Sequence, residues 1–318
     1  MRLLVTGSSG LVGEVLARGF SKKGIHVVPF DLRAGRADIR DAAAVREAMR
    51  GCDGVIHLAA VSRVAWSEAD PNLCRSINEE GTATVVEAAL SRPDRPFLIF
   101  ASSREVYGNL ARLPARESDA VAPHNTYGRS KATSERIVRD AADRGLPVGI
   151  LRLSNVYGTT NDHPDRAVPA LLWNAIRGED LTISGADTFF DFVHVDDCAR
   201  GFLALAERMA AKRESFPPIH LVSGVATSLG KLADMAAGIA GGAASVILAP
   251  RRSFDVSGFV GDPTLAGRLL GWRHEVDLLR GLSRLRDDLV QRGRAPDPVL
   301  MPESRATAKK LVARDMKR

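Results

Sequence analysis

Five short apolar runs, at residues 3–6, 27–31, 55–59, 97–102 and 148–153, alternate with segments whose apolar positions recur at helical spacing, such as 42–49 and 76–90. Strands joined through helices cannot pair as hairpins, so each crossover returns the chain in the same direction and the pattern demands a parallel sheet. The strand cores carry few charges, as expected when helices cover both faces. With 318 residues, 45% of them hydrophobic, the chain can bury such a core. The expected fold class is α/β, a doubly wound parallel sheet in residues 1–155. Beyond 155 the regularity weakens, and residues 156–291 read as a smaller α/β lobe with some segments returning to the core. Residues 292–318 turn Pro-rich and then basic, the reading of a tail.

Several function classes are set aside by composition. No apolar run approaches the ~20 residues that span a bilayer, and Met1 leads straight into a strand-like segment, so neither membrane insertion nor secretion is expected. Cys52, Cys74 and Cys198 are scattered and odd in number, which makes neither a disulfide framework nor a metal site and fits a cytoplasmic location. The net charge of +6 is concentrated late, at Arg251, Arg252 and residues 305–318, a poor match to a nucleic-acid-binding face.

Two constellations carry chemistry. In TGSSGLVG, Gly7, Gly10 and Gly13 follow the first strand and open the first helix, where the backbone can turn tightly and present helix N-terminal N–H groups to a pyrophosphate. Asp31 ends the second strand, where a carboxylate accepts both ribose hydroxyls of an adenosine and repels a 2′-phosphate, favouring NAD over NADP. Arg33 opposes that preference, because a nearby guanidinium can accept the extra phosphate; Asp31 is expected to govern. A plain Gly-rich turn with a turn aspartate is the alternative. The second constellation is Tyr127-Gly-Arg-Ser-Lys131, with the tyrosine and lysine on one helix face. An ammonium and a bound nicotinamide would both stabilise the phenolate and let it exchange a proton with a sugar or alcohol hydroxyl. A surface Tyr/Lys pair is the bland reading. Ser102 and Ser103 lie at the C-terminal end of their strand, the edge where open α/β sheets bind ligands, although hydroxyls that merely cap a strand end remain the alternative.

Taken together, these motifs resemble the extended short-chain dehydrogenase/reductase superfamily, and within it the NAD-dependent nucleotide-sugar epimerase/dehydratase family typified by UDP-galactose 4-epimerase. The resemblance runs from about residue 2 to about residue 285. TGSSGLVG matches TGxxGxxG, and Asp38-Ile39 in ADIRD matches an adenine-contacting Asp-Ile. His57-Leu58-Ala59-Ala60 resembles the HxAA-type motif of the family's fourth strand, and Asn78 in NEEGT resembles NxxGT. FASSREVYG resembles the catalytic strand, YGRSK matches YxxxK, and RLSNVYG resembles RxxNVYGP. FFDFVHVDDCARG and DPTLAGRLLGW resemble RDFxxVDDxA and DxxKAxxxLGW.

The resemblance implies a Rossmann-type core, a small substrate lobe, and a homodimer built through a four-helix interface from helices at 72–90 and 126–143. It implies that Gly7, Ser9, Gly10, Leu11, Val12, Gly13, Asp31, Asp38, Ile39, Leu58, Ala59, Ala60, Asn78, Tyr127 and Lys131 hold NAD. By the same resemblance Ser103 bonds the reacting oxygen, Tyr127 is the acid/base, and Lys131 anchors the ribose and tunes Tyr127. Ser62, Ser103, Asn155 and Arg252 would contact the substrate, the last two at its nucleotide diphosphate. Glu105 stands where dehydratases and decarboxylases of the family carry a carboxylate for chemistry at C5 and C6, and is either a second catalytic group or a solvated loop carboxylate. The acid that can neighbour it is replaced by Arg104. Two further departures are Thr159 for the proline after NVYG and Phe190 for the arginine that commonly contacts a phosphate. The expected activity is NAD-dependent epimerisation of a nucleotide-linked sugar through a transient keto intermediate. Alternatives are a nucleotide-sugar 4,6-dehydratase, an NAD-dependent dehydrogenase of a free sugar or sugar acid, and a nucleotide-sensing protein without activity.

Overall fold

In the computed structural model, residues 1–35, 37–242, 244–250 and 256–293 are described. The first half runs β1 (Arg2–Thr6), α1 (Leu11–Ser21), β2 (His26–Phe30), α2 (Leu32–Gly35), α3 (Ala42–Ala48), β3 (Gly54–His57), α4 (Val64–Ala69), α5 (Pro71–Arg75), a wider π turn over Ser76–Glu80, α6 (Gly81–Leu90), β4 (Phe97–Ser103), α7 (Thr126–Asp143) and β5 (Val148–Leu153). All five strands are parallel, in the order β2-β1-β3-β4-β5. Side chains alternate between the two faces. Leu3, Val5, Ile56, Ile99 and Leu151 face Leu16 and Phe20 of α1, whereas Leu4, Val55, Leu98, Phe100 and Ile150 face α3, α6 and Val138 of α7. Both faces are therefore covered, which is why β3, β4 and β5 are buried along their whole length.

The strand that carries His57 is third in the chain, which corrects the fourth place expected for it. Residues 37–41 turn instead of extending, because Arg40 folds onto Asp38 with Nε 2.9 Å and Nη2 2.6 Å from the carboxylate.

The second half runs β6 (Asn155–Tyr157), α8 (Ala167–Ile176), β7 (Leu181–Ser184), β8 (Phe189–His194), α9 (Val195–Lys212), β9 (Ile219–Leu221), β10 (Ala226–Ser228), α10 (Leu229–Ala240), β11 (Val246–Ala249), α11 (Thr264–Leu270) and α12 (Leu278–Arg292). Here β9 joins the main sheet beside β5, and α9 packs its Phe202, Leu205 and Met209 into the same core as α1. The strands β10-β8-β6 and β11-β7 form two small sheets, closed by α8, α10 and α12 around Leu172, Phe192, Leu232 and Leu285. Two buried carboxylates tie this half together. Asp191 accepts from the Ser223 and Gly224 amides, and Asp197 from those of Glu275 and Val276, while Trp272 Nε1 donates to the Asp197 carbonyl.

One buried network sets α7 against the sheet. Arg152 of β5 meets Glu135 of α7 in a two-pronged pair, Nε to Oε1 at 2.8 Å and Nη2 to Oε2 at 2.7 Å, and Ser102 Oγ donates to the same carboxylate at 2.6 Å. Arg152 Nη1 donates to Tyr107 Oη, which lies 2.6 Å from His220 Nε2 on the other side. Neither charge of the pair sees solvent. Removing one would strand the other, so Glu135→Ala should cost about 3–5 kcal/mol in urea unfolding; a cost below about 1 kcal/mol would show that the pair does not hold α7.

Candidate active site

Helix α1 begins directly on the turn after β1. Gly7 has φ of +69°, and a Cβ there would lie 2.7 Å from the Ala59 amide nitrogen; a Cβ on Gly13 would collide with the Gly7 carbonyl. The glycines thus allow α1 to start against the sheet. Gly10, at its N-cap, supplies no side-chain cap, so the first-turn N–H groups are left for a ligand along a wall made by Gly10, Leu11, Val12 and Gly13. Asp31 closes β2, taking the Ser9 amide on Oδ2 at 2.9 Å and the Arg33 amide on Oδ1 at 2.8 Å. Each oxygen keeps a lone pair for a further donor. The Arg33 guanidinium folds back to the Ser9 carbonyl at 2.7 Å. Ser9 therefore acts through its backbone, behind the cavity wall.

The remaining cofactor candidates divide into a wall and its support. Leu58, Ala59, Ala60, Asp38 and Ile39 line the cavity. His57 is buried between Thr6 Oγ1 at 2.7 Å and Thr82 Oγ1 at 3.0 Å, and burial pulls its pKa down to about 3, so it is a neutral bridge. Asn78 sits behind the wall: the π turn carries its amide inward, where it exchanges bonds with the Val61 amide and carbonyl and donates to Ser130 Oγ. It positions the 60–62 segment instead of lining the cavity.

The second constellation converges at the end of β4. Asn125 caps α7, accepting from the Gly128 amide at 2.8 Å, and this orients Tyr127 and Lys131 toward the cavity that both line. Burial raises the Tyr127 phenol's pKa above the ordinary value, and the nearby Ser103 hydroxyl opposes the rise. Lys131 is 3% exposed, donates to the Ala101 carbonyl at 2.8 Å, and lies 5.9 Å from the centre of the Tyr127 ring. Burial pulls its ammonium down to about 8. The Ser102 hydroxyl is spent on Glu135, which leaves Ser103 as the serine hydroxyl available beside Tyr127 on the cavity wall.

Glu105 is 6% exposed, which removes the solvated-loop reading. Its Oε1 pairs with Arg104 Nη2 at 2.8 Å and its Oε2 accepts from Asn125 Nδ2 at 2.8 Å. Arg104 Nε donates to Asn155 Oδ1 at 3.0 Å, and its guanidinium lies 4.3 Å from the centre of the Phe190 ring. The position expected to hold an arginine on β8 thus carries an aromatic platform with the arginine that follows β4 upon it. Arg252 lies outside the described residues.

Across the cavity stand Ser62, Arg63, Trp66, Asp162, His163, Asp165 and Arg166. Arg63 meets Asp165 at 2.5 Å, Arg166 meets Asp162 at 3.1 Å, and His163 stands edge-on to Trp66. Asn161 Nδ2 donates to the Ser9 carbonyl and to Glu14, tying this loop to the Gly-rich turn. Of this wall the sequence reading named only Ser62. The Asp162/Arg166 spacing of four was the available signal, and it identifies an ion pair without saying where the pair lies. The whole cavity measures about 1650 Å³, more than one drug-sized ligand needs. Uncapped donors at α1, the two remaining lone pairs of Asp31 and the buried Lys131 fit a dinucleotide running from Asp31 to Tyr127. Among the described residues no cluster of His, Cys, Asp or Glu converges as a metal site, and no helix is long and apolar enough to cross a membrane.

Residues 3–216 match the model of the NAD dependent epimerase/dehydratase family. The chain is 30% identical over 301 residues to a UDP-glucose 4-epimerase of Streptomyces lividans, covering 85% of this chain and 91% of that one. It is also 30% identical over 310 residues to a dTDP-glucose 4,6-dehydratase of Streptomyces griseus, covering 88% and 92%. Among solved structures, the UDP-glucose 4-epimerase of Thermotoga maritima with UDP-glucose superimposes with a TM-score of 0.86 at 25% identity, over 92% of this chain and all of that one.

Cofactor discrimination follows from Asp31. A carboxylate facing a 2′-phosphate is costly, and the Arg33 guanidinium is already engaged, with Nε 3.7 Å from Asp31 and Nη2 on the Ser9 carbonyl. NAD should bind at least about tenfold more tightly than NADP, roughly 1.4 kcal/mol. Equal affinities in a fluorescence titration would mean that Arg33 leaves Ser9 and governs the pocket.

Proposed function

The chain belongs to the NAD dependent epimerase/dehydratase family, and on that premise we propose that it epimerises a nucleotide-linked sugar through a transient keto form, with Ser103, Tyr127 and Lys131 as the reacting machinery. Bound NAD supplies the nicotinamide ring that takes and returns a hydride. Tyr127 takes the proton of the reacting hydroxyl and later gives it back. Ser103, on the cavity wall with Tyr127, holds the reacting oxygen. Lys131 is a buried cation one helical turn away; at neutral pH, below its pKa of about 8, it keeps its charge and favours the phenolate. Asp31, the start of α1 and the 58–60 wall bind the cofactor, and Ser62 and Asn155 bind the substrate. The homodimer implied by the resemblance would use the outer sides of α6 and α7, where Thr84, Thr133 and Ile137 are half-buried.

The Arg104–Glu105 pair is the observation that carries epimerisation over dehydration. Elimination needs a base at one carbon and an acid for the departing hydroxyl. A guanidinium does not give up its proton in a protein, so Arg104 cannot be that acid. Glu105, bound on both oxygens by Arg104 and Asn125, is a poor base. Incubation with UDP-glucose or dTDP-glucose, followed by mass analysis, should therefore give an isomer of unchanged mass; a product lighter by one water would establish the dehydratase instead. Glu105→Gln should keep substantial turnover, whereas a dehydratase would lose on the order of a hundredfold. Tyr127→Phe should lower kcat by at least about a hundredfold with NAD affinity nearly intact. Unimpaired turnover in that variant would remove Tyr127 as the acid/base.

A further inference from the structure

We propose that Arg104 is the anion anchor of the substrate pocket, its Nη1 binding an anionic oxygen of the substrate. Nη1 is buried and has no hydrogen-bond partner among the described residues, although Arg104 lines the cavity and is only 8% exposed. The rest of the guanidinium is fixed: Nε on Asn155, Nη2 on Glu105, and one face on the Phe190 ring. The orphan nitrogen is thus preorganised rather than free to find another partner. Buried donors are almost always paired, and a charged donor binds an anionic oxygen more strongly than a neutral one. Glu105 does not supply that oxygen: its contacts are with Nη2 and Asn125, and Nη1 makes no hydrogen bond to it. The bond to Asn155 has a second effect. It takes up Oδ1 and leaves Nδ2 of Asn155, also on the cavity wall, as a donor beside Arg104.

This inference rests on the nucleotide-sugar reading, within which two groups offer an anionic oxygen: the diphosphate, or a carboxylate at C6 of a sugar acid. The diphosphate would make Arg104 the replacement for the guanidinium expected at position 190. The carboxylate would make it the residue that selects acidic sugars.

Calorimetric titration of the NADH-loaded enzyme with UDP, UDP-glucose and UDP-glucuronate, and with dTDP and dTDP-glucose as thymine counterparts, separates these cases. Arg104→Gln should weaken binding of an anion held by Nη1 by about tenfold or more, and Arg104→Lys should recover part of the loss. An equal loss on all the ligands assigns the diphosphate. A loss confined to UDP-glucuronate assigns the carboxylate. Changes below about threefold on every ligand, in a variant that unfolds like the wild type, overturn the anchor. Failure of the wild type to bind any of them overturns the nucleotide-sugar reading and the anchor with it.

Discussion

The buried pair between Arg152 and Glu135 is the contact on which the geometry of the site depends. It crosses from β5 to α7 one helical turn beyond Lys131, and the same carboxylate takes the Ser102 hydroxyl from the end of β4. Three elements that carry or flank Ser103, Tyr127 and Lys131 are thereby fixed to one carboxylate. The pair extends through Tyr107 to His220 of β9, so β4, β5 and β9 are tied by the same hydrogen bonds. Such a network specifies one arrangement because leaving any member unpaired is costly. A packed apolar contact would tolerate small slips of α7 that a proton-transfer site cannot.

A second pair, Arg104 with Glu105, decides what the site can do. It begins one residue beyond Ser103 and neutralises a buried carboxylate. The redox machinery needs only one proton carrier and one oxygen holder, and is untouched by it. Additional acid–base chemistry on the sugar needs a free carboxylate, which the pair and Asn125 withhold. The same residues that restrain Glu105 also place a charged donor over Phe190 and orient Asn155. Restraint of reactivity and recognition of substrate therefore come from one guanidinium.

Much of this was legible in the chain itself because it depends on local spacing. The apolar runs define the strands, TGSSGLVG defines the turn into α1, and the Tyr127–Lys131 spacing puts both on one face. Asp31 is legible because a strand end is a local property. What was not legible depends on contacts between distant segments. Phe190 read alone suggests a missing charge; that Arg104 lies over it requires knowing that the turn after β4 meets β8. Asn78 read as a cofactor contact, yet the π turn directs its amide to Val61 and Ser130. Glu135 carries no signal in the sequence, because its role depends on β5 placing Arg152 beneath it. The role of residues 159–166 in closing the cavity rests on Asn161 reaching Ser9, again a contact between distant segments.

If Arg104 and Asn125 deny Glu105 the role of a base, no carbon-bound hydrogen of the sugar should exchange with solvent during turnover. Running the reaction in deuterium oxide and examining the sugar by NMR tests this directly. The account requires a product isomer with no deuterium on its ring carbons, since only the hydroxyl proton passes through Tyr127. Deuterium at C5 would contradict it, because it would mean that Glu105 leaves its partners and abstracts a proton there.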